Sequence, residues 1–498
     1  MTTDLRVAIV HYHLHPGGVT RVIRHAVEVL ERSGVRTAVL VGEPPAPGFA
    51  STASTASTQI GVVEGLGYFS RNGGRGGEAL AGRLIAVATA ALGSAPDLWH
   101  FHNHSLGKNP RVTEAVHELA AKGDPLLLQI HDFAEDSRPE EYRLLRQFFG
   151  ERGDRALERC AYPQAPRVHY AALNRRDRAF LARAGVDSRR LHLLPNAVDL
   201  SDEGRDDAEE YSASVAGERL LLYPIRAIRR KNLGEFLYWA ALAEEGERFA
   251  VTLAPKNPRW KPTYARWVEF SRQRGLPVEF AVGEAPDVSF PALVNAADRL
   301  VTTSVAEGFG MSFLEPWLFG RPVVGRNLPE ITADFEEHGV DLSGLYERLD
   351  VPVEWVDETT LRAKIASNLA ANLEAYGRAM DPDAADRALR AAVREGRVDF
   401  GKLDEALQER VIDRVRASPG AVGDVRPARL EIEATTPATV AHNRETVRRS
   451  FGLEEYGANL LRIYRELVEA PVEKSEPLAA ERLLDEFLKP ERFCLLRG

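Results

Sequence analysis

Short apolar runs separated by amphipathic stretches set the layout of this chain. Arg6-Val-Ala-Ile-Val10 is continuously apolar after its first residue, as a strand covered on both faces requires. A glycine turn at Gly17-Gly18 follows. Val19, Val22, Ile23, Ala26 and Leu30 then recur at helical spacing until Gly34 supplies a stop. Thr37-Ala-Val-Leu-Val41 restarts a strand, which completes a βαβ unit. The alternation continues with a helix near 78–93, strand Leu98-Trp-His-Phe101, a helix near 110–121 and strand Leu126-Leu-Leu-Gln-Ile130. Further strands are expected at Val168 to Leu173 and Leu191 to Leu194. Strands alternating with helices in this way predict a doubly wound parallel sheet. Residues 43–60, rich in Pro, Ser, Thr and Ala, and Arg71-Asn-Gly-Gly-Arg-Gly-Gly77 read as flexible loops.

The pattern restarts after Pro195-Asn196. Residues 200–216 are acidic and polar and read as a linker. Leu220-Leu-Leu-Tyr-Pro224 opens a second sheet, followed by a helix from Asn232 to Ala243. More strands are expected at Phe249 to Leu253, Val278 to Val282, Leu300 to Thr303 and Pro322 to Val324. The chain is thus α/β, with one domain over 1–199 and a second over 217–339. Two such domains in tandem make a cleft at the carboxyl ends of both sheets. Residues 340–440 change character, becoming rich in Ala, Arg, Glu and Asp with helical periodicity, and read as a helical insertion. A last long helix, Thr446 to Val468, lies within 441–470, and a charged tail occupies 471–498.

Composition narrows the setting. The 498 residues are 44% hydrophobic and 28% charged, ordinary for a soluble globular protein. A net charge of −9 argues against bulk binding of nucleic acid or anionic membrane, so any anion must be met by local basic groups. The cysteines, Cys160 and Cys494, form no disulfide framework and suit a reducing cytosol. The first residues lack the basic-then-apolar layout of a signal peptide, and the apolar stretch Leu84 to Leu92 is too short to span a bilayer. A cytoplasmic protein without a transmembrane segment is expected.

Several clusters can carry chemistry. Glu307-Gly-Phe-Gly-Met-Ser-Phe-Leu-Glu315 places two carboxylates around a Gly-Phe-Gly turn between a strand and a helix-like stretch, Met311 to Phe319. Glycines let backbone approach a ligand, and a helix start offers N–H groups to an anion. Carboxylates for hydroxyls and a helix start for an anion suit a sugar joined to a phosphate, with Gly310, Met311 and Ser312 against the phosphate. Gly17 and Gly18 lie where a strand hands over to a helix, a usual place for phosphate, and also fit a plain tight turn. Arg226-Ala-Ile-Arg-Arg-Lys231 falls between a strand end and a helix start. A guanidinium fork plus an ammonium there suits a diphosphate and can stabilise it as it departs.

The histidines support a rival reading. His11-x-His13-x-His15 and His100-x-His102-x-His104 alternate, which puts each trio on one face of an extended segment, and His131-Asp132 follows a strand. Histidines so spaced can ligate zinc, or can hydrogen-bond a substrate hydroxyl and act as general base. Lys108, Arg111 and Arg138 follow strands of the first domain and could suit an anionic acceptor, such as a phosphate or carboxylate. Lys256, Arg259 and Trp260 could touch the nucleotide.

From Val7 to about Glu330, and again in the final helix, the chain resembles retaining GT-B glycosyltransferases of the family 4 type. Glu307 to Glu315 matches that family's E-x7-E signature, and Arg226 to Lys231 its Arg-x4-Lys pair. Gly17-Gly18 is similar to its first-domain glycine loop, and His131-Asp132 to its His-Asp. Leu194-Pro-Asn-Ala-Val-Asp199 is similar to its hinge, and Phe451-Gly-Leu-Glu-Glu-Tyr-Gly457 to the segment that crosses back to the first domain. The resemblance implies two Rossmann-like domains facing a cleft. It implies Glu307 near the donor sugar, Glu315 on the ribose, and Arg226 and Lys231 on the leaving diphosphate. It also implies Gly17 and Gly18 near donor phosphate and His131 near the reacting hydroxyl. No catalytic metal or other cofactor is implied, and retention would follow front-face attack assisted by the leaving phosphate. Departures fall around the nucleotide. Ile225 and Asn232 stand where glycines are usual, Ala254-Pro-Lys-Asn replaces a glycine-rich turn, and Asn327-Leu328 replaces Gly-Gly.

The expected function is transfer of a hexose from a nucleoside-diphosphate sugar to a hydroxyl acceptor with retention. One alternative is a zinc metallohydrolase using the histidine trios. Another is a non-catalytic sugar-nucleotide-binding or scaffold protein, with residues 340–440 as a surface for partners or self-association.

Overall fold

The computed structural model describes the chain apart from residues 1–4, 46–57, 71–75, 151–154, 200–217, 286–287, 431–434, 470, 472–477 and 498. The linker expected at 200–216, most of the loop expected at 43–60 and the stretch 71–75 therefore lie outside the described residues. The chain divides into a first unit, Met1–Ala197 with Phe451–Leu488, and a second unit, Val198–Ser450 with Lys489–Gly498.

The first unit is built on a seven-stranded parallel sheet. Its strands are β1 (Arg6–Val10), β2 (Arg36–Val41), β3 (Thr58–Val62), β4 (Leu98–His102), β5 (Leu126–Ile130), β6 (Val168–Ala172) and β7 (Leu191–Leu193). They lie in the order β3-β2-β1-β4-β5-β6-β7, so the order reverses between β1 and β4. There Val7 faces Leu98 and Val10 faces Phe101. Both faces are covered, as the apolar strands require. On one face Trp99, Phe101 and Tyr170 pack with Leu84, Leu119 and Phe180. On the other, Val7, Ile9 and Val39 pack with Ile23 and Leu30 of helix Gly18–Arg32 and with Leu460, Tyr464 and Leu467 of helix Leu453–Glu469.

The second unit carries a six-stranded parallel sheet of order β10-β9-β8-β11-β12-β13. These are β8 (Arg219–Arg226), β9 (Glu247–Leu253), β10 (Val278–Phe280), β11 (Arg299–Thr302), β12 (Val323–Arg326) and β13 (Leu345–Tyr346). The order reverses between β8 and β11. A doubly wound sheet opens a crevice beyond the carboxyl ends of its strands at such a reversal, and each unit has one.

The structure changes four expectations. Thr58 to Ile60 belong to edge strand β3 rather than to a loop. An edge strand pairs on one side only, so polar side chains are tolerated and the composition resembles a loop. Residues 340–440 are helical over Glu358–Ala375, Ala384–Ala392 and Glu405–Ala417 but also form a three-stranded antiparallel sheet. Its strands are β14 (Asp350–Pro352), β15 (Val393–Arg394) and β16 (Arg397–Asp399). The β15–β16 hairpin turns through Glu395 and Gly396, both at positive φ, a geometry whose usual signal is Asn-Gly or Asp-Gly rather than Glu-Gly. The long terminal helix is two helices, Pro437–Phe451 and Leu453–Glu469, parted at Gly452. The charged tail contains helix Ala480–Phe487, whose Leu483 and Phe487 enter the first unit's core. The last residues then join the second unit, where Cys494 donates to the Gly401 carbonyl and Lys402 to that of Phe493. Among the described residues no helix is long and apolar enough to cross a membrane.

Candidate functional site

In the second unit, the turn after β8 and the loop after β11 meet at the reversal of the sheet. The link is built from backbone. Val305 N–H donates to the Arg230 carbonyl at 2.9 Å. The Lys231 carbonyl accepts from Tyr223 Oη at 3.0 Å and from Thr303 Oγ1 at 3.1 Å. Tyr223 also shares a 2.9 Å hydrogen bond with Ser304. These contacts bring Lys231 Nζ onto Glu307 Oε1. Both side chains are largely buried. Burial pushes the Lys231 ammonium down, and Glu307 opposes this. Burial would raise the Glu307 carboxyl, but Lys231 and Arg230 outweigh it and hold Glu307 below the usual carboxylate range. Glu315 adds its negative field at Lys231. The two carboxylates thereby offset part of the cost of burying the ammonium.

Arg226 ends β8, where the pairing with β9 is irregular between Tyr223 and Arg226, and its Nη1 donates to the Ala254 carbonyl at 3.1 Å. Lys256 is exposed in the next loop, and Arg259 stacks on Trp260 at 4.7 Å, so that ring face is already covered. The helix expected over Met311 to Phe319 is broken into a 3-10 turn, Met311–Phe313, and a short helix, Glu315–Leu318. Pro316 lacks the N–H that a continuous helix needs. The segment after Gly310 therefore opens no long helix, which corrects the expectation of a helix start there for the anion. Ser312 Oγ is buried without a hydrogen-bond partner. Gly310 has φ +93°, and a Cβ there would stand 3.0 Å from Phe313 and 3.1 Å from Ile331, so glycine is required for the turn.

In the first unit, the reversal between β1 and β4 collects histidines. His102 Nδ1 and His131 Nε2 are 2.8 Å apart, and His11 Nδ1 lies 3.3 Å from the His102 carbonyl. His100, stacked on His102 at 4.3 Å, meets Tyr464 at 2.8 Å and Gln129 at 3.0 Å. The His131-Asp132 turn hangs from Asn103, whose Oδ1 accepts from both backbone N–H groups at 2.8 and 3.0 Å. Burial lowers His131 to about 4, so it is a neutral base near pH 7. Arg138 is bound to Asp132 at 2.7 Å and Lys108 to Glu141 at 2.6 Å, so two of the cations expected to meet an anion already carry carboxylate partners. Arg111 lies over Phe69 at 4.7 Å.

The first histidine trio does lie along one side, with the His11 and His13 rings 5.6 Å apart and His13 stacked on His15 at 4.5 Å. The row runs outward from buried His11, so that His13 meets Tyr68 at 3.0 Å and His15 lies 3.1 Å from Glu43 at the surface. Among the described residues no group of three His, Cys, Asp or Glu side chains is disposed to hold a metal ion. The zinc reading therefore gains no support from the arrangement. Gly17 is extended, at φ 175°, and caps helix Gly18–Arg32. A Cβ on Gly17 would meet only the His15 carbonyl, at 3.8 Å, and one on Gly18 nothing within 4 Å. The chain's own folding thus does not demand glycine here, and the tight-turn reading with positive φ does not apply.

Sequence reasoning missed Asn103, Ser304 and Gln408. Asn103 carried a usable signal, an Asn between two histidines at a strand end, since Asn tolerates the left-handed conformation it adopts at φ +58°.

Residues 16–202 match the family model described as Glycosyltransferase Family 4. The mannosylglucosyl-3-phosphoglycerate synthase of Petrotoga mobilis is 28% identical over 345 residues, covering 66% of each chain. The 2-deoxystreptamine N-acetyl-D-glucosaminyltransferase of Streptomyces fradiae is 30% identical over 264 residues, 49% of this chain and 58% of that one. The matches span just under two thirds, and somewhat over half, of these relatives' lengths. Anabaena HepE in complex with UDP and glucose superposes with a TM-score of 0.55 at 14% identity, over 92% of this chain and 99% of that one. The sucrose-phosphate synthase of Thermosynechococcus elongatus gives 0.53 at 15% identity, over 93% and 99%. The chain is thus similar to Glycosyltransferase Family 4 over residues 16–202, and its two Rossmann-like units share the GT-B fold of these structures.

Proposed function

We propose that this chain is a retaining glycosyltransferase that moves a hexose from a nucleoside-diphosphate sugar to a hydroxyl acceptor. The observation that carries the proposal is the buried Lys231–Glu307 pair at the sheet reversal of the second unit. A buried ammonium paired with a carboxylate is suited to a diphosphate whose charge grows as the bond to the sugar breaks. Arg226 is the second cation for that diphosphate. Glu307 serves the donor sugar, Glu315 the ribose, and Gly310, Met311 and Ser312 the phosphate. Gly17 and Gly18 allow phosphate to approach backbone, and His131 serves the reacting hydroxyl. The names of the relatives support sugar transfer, and HepE was solved with UDP and glucose. An anionic acceptor agrees with a relative named for a phosphoglycerate product, although Lys108 and Arg138 would have to share their carboxylate partners with it.

The test is thermal stability with UDP, GDP, ADP, dTDP and CDP, chelator present, on the wild type and Arg226→Ala. A ligand at about a hundred times its Kd stabilises the native state by about 2.7 kcal/mol. The expected outcome is one diphosphate that raises the melting temperature of the wild type alone. No shift with any of them would remove the donor site.

A further inference from the structure

We propose that the 340–440 region is a working part of the donor site, with Gln408 and Glu405 as positioning residues that hold the 229–232 turn and so place Lys231 against Glu307. This rests on reading Lys231 as a ligand of the donor diphosphate. Lys231 sits in a 3-10 turn, Arg229–Lys231, closed by Asn232 at φ +52° and ψ +57°. Asn is among the few non-glycine residues that adopt this left-handed conformation readily, and here its surroundings hold it. The surroundings do so from two sides. Gln408 Nε2 donates to Asn232 Oδ1 at 2.8 Å, and Asn232 Nδ2 donates to Glu235 Oε2 at 2.7 Å. Gln408 is fully buried on helix Glu405–Ala417, and its amide also donates to the Phe400 carbonyl at 3.2 Å.

The other end of the turn is held by the same helix. Glu405 takes Arg229 as a fork, Nε at 2.6 Å and Nη2 at 2.9 Å. Glu235, which anchors Asn232, is bound by Arg326, and Arg326 reaches Asp399 on β16 at 2.7 Å. Asp399, Glu405 and Gln408 all come from the region whose role the sequence left open, and all converge on the residues flanking Lys231. A surface for partners has no need of a buried amide aimed at this turn. The turn's own backbone closes it, with Lys231 N–H on the Ile228 carbonyl at 2.9 Å and Asn232 N–H on that of Arg229 at 3.0 Å, while its side chains Arg229 and Asn232 are held by Glu405 and Gln408.

The experiment uses the full chain in wild-type form and as Gln408→Leu, Glu405→Gln, Lys231→Ala and Gln408→Leu/Lys231→Ala. Backbone hydrogen exchange is read at Lys231, Asn232 and Val305, and calorimetric affinity is measured for the five diphosphates above. Exchange at those amides should rise about tenfold in Gln408→Leu while the amides of β11 and β12 keep their wild-type rates. Diphosphate affinity should fall about tenfold in Gln408→Leu, and this loss should vanish when Lys231 is already alanine. A merely structural Gln408 would weaken binding equally in both backgrounds, which would overturn the proposal. Unchanged exchange at the turn would overturn it without reference to any ligand. Glu405→Gln reads the same turn should Gln408→Leu not fold. Wild-type protein that binds none of the diphosphates, with the exchange pattern as expected, would sink the donor reading and leave the turn's support established.

Discussion

Lys231 illustrates how one position can be legible in sequence while its environment is not. An Arg-x4-Lys between strand and helix suggests a diphosphate, but nothing in that spacing says that the lysine is buried or that Glu307 stands on it. The pairing depends on Tyr223, Thr303 and Val305, which look like ordinary strand and loop residues until β8 and β11 lie side by side. If Lys231 meets the leaving diphosphate as proposed, Lys231→Ala should cut turnover at saturating donor by at least about tenfold, because that charge develops in the transition state. Steady-state kinetics measure this, and unchanged turnover would take Lys231 out of the mechanism. Glu315 and Arg226 stood out in the same way, by residue type and spacing. Gln408 did not, because it acts by bonding a neighbour that is distant in sequence.

Among elements, strands buried on both faces announced themselves, since β1, β4, β5 and β8 are nearly unbroken apolar runs. Edge strand β3 and the Glu395-Gly396 hairpin did not, because one needs a single partner and the other uses an uncommon turn pair. The small sheet matters because it delivers Asp399. Arg326, almost fully buried, is shared between Glu235 and Asp399, while Tyr346 also donates to Glu235 at 2.7 Å. Removing Asp399 leaves Arg326 paired with Glu235 but strips the guanidinium of two buried charge-assisted hydrogen bonds. Asp399→Ala should therefore destabilise the second unit by about 3–5 kcal/mol, read as a lower urea midpoint. A loss under about 1 kcal/mol would mean that solvent reaches Arg326 and replaces the carboxylate.

For the whole molecule, both Rossmann-like sheets could be read from hydrophobic periodicity and the crossing back near Phe451 was expected from the family resemblance, whereas the return of Lys489–Gly498 to the second unit was not. The same burial that builds the first sheet sets a pH response. Burial lowers His100 to about 3 and His104 and His131 to about 4, and it lowers His102 well below its usual value. Their unfolded value is about 6.5, so on acidification the unfolded chain takes up protons first. Their stability is fully present above about pH 6.5 and is lost as pH falls towards about 4, by about 1.4 kcal/mol per pH unit for each histidine. Glu135 works in the opposite sense. Burial raises it to about 7, so the folded state gains a proton as pH falls through that value. The histidines outnumber it, and the urea midpoint should drop between pH 7 and 5.5, above the range where ordinary carboxylates titrate. A flat midpoint would show that these rings are hydrated or charged in the native state.

The chain leaves the first unit after Ala197, returns at Phe451 and leaves it again after Leu488. This has a consequence for biosynthesis. Tyr456, Leu460, Ile463, Tyr464 and Leu467 complete the apolar layer over β1 and β2, yet they leave the ribosome more than four hundred residues after those strands. The nascent first sheet must wait with one face covered only in part, by helix Gly18–Arg32, while the second unit is made. An N-terminal fragment ending near residue 200 would expose Val7, Ile9 and Val39 to water, and a useful expression fragment has to fuse residues 451–488 to it.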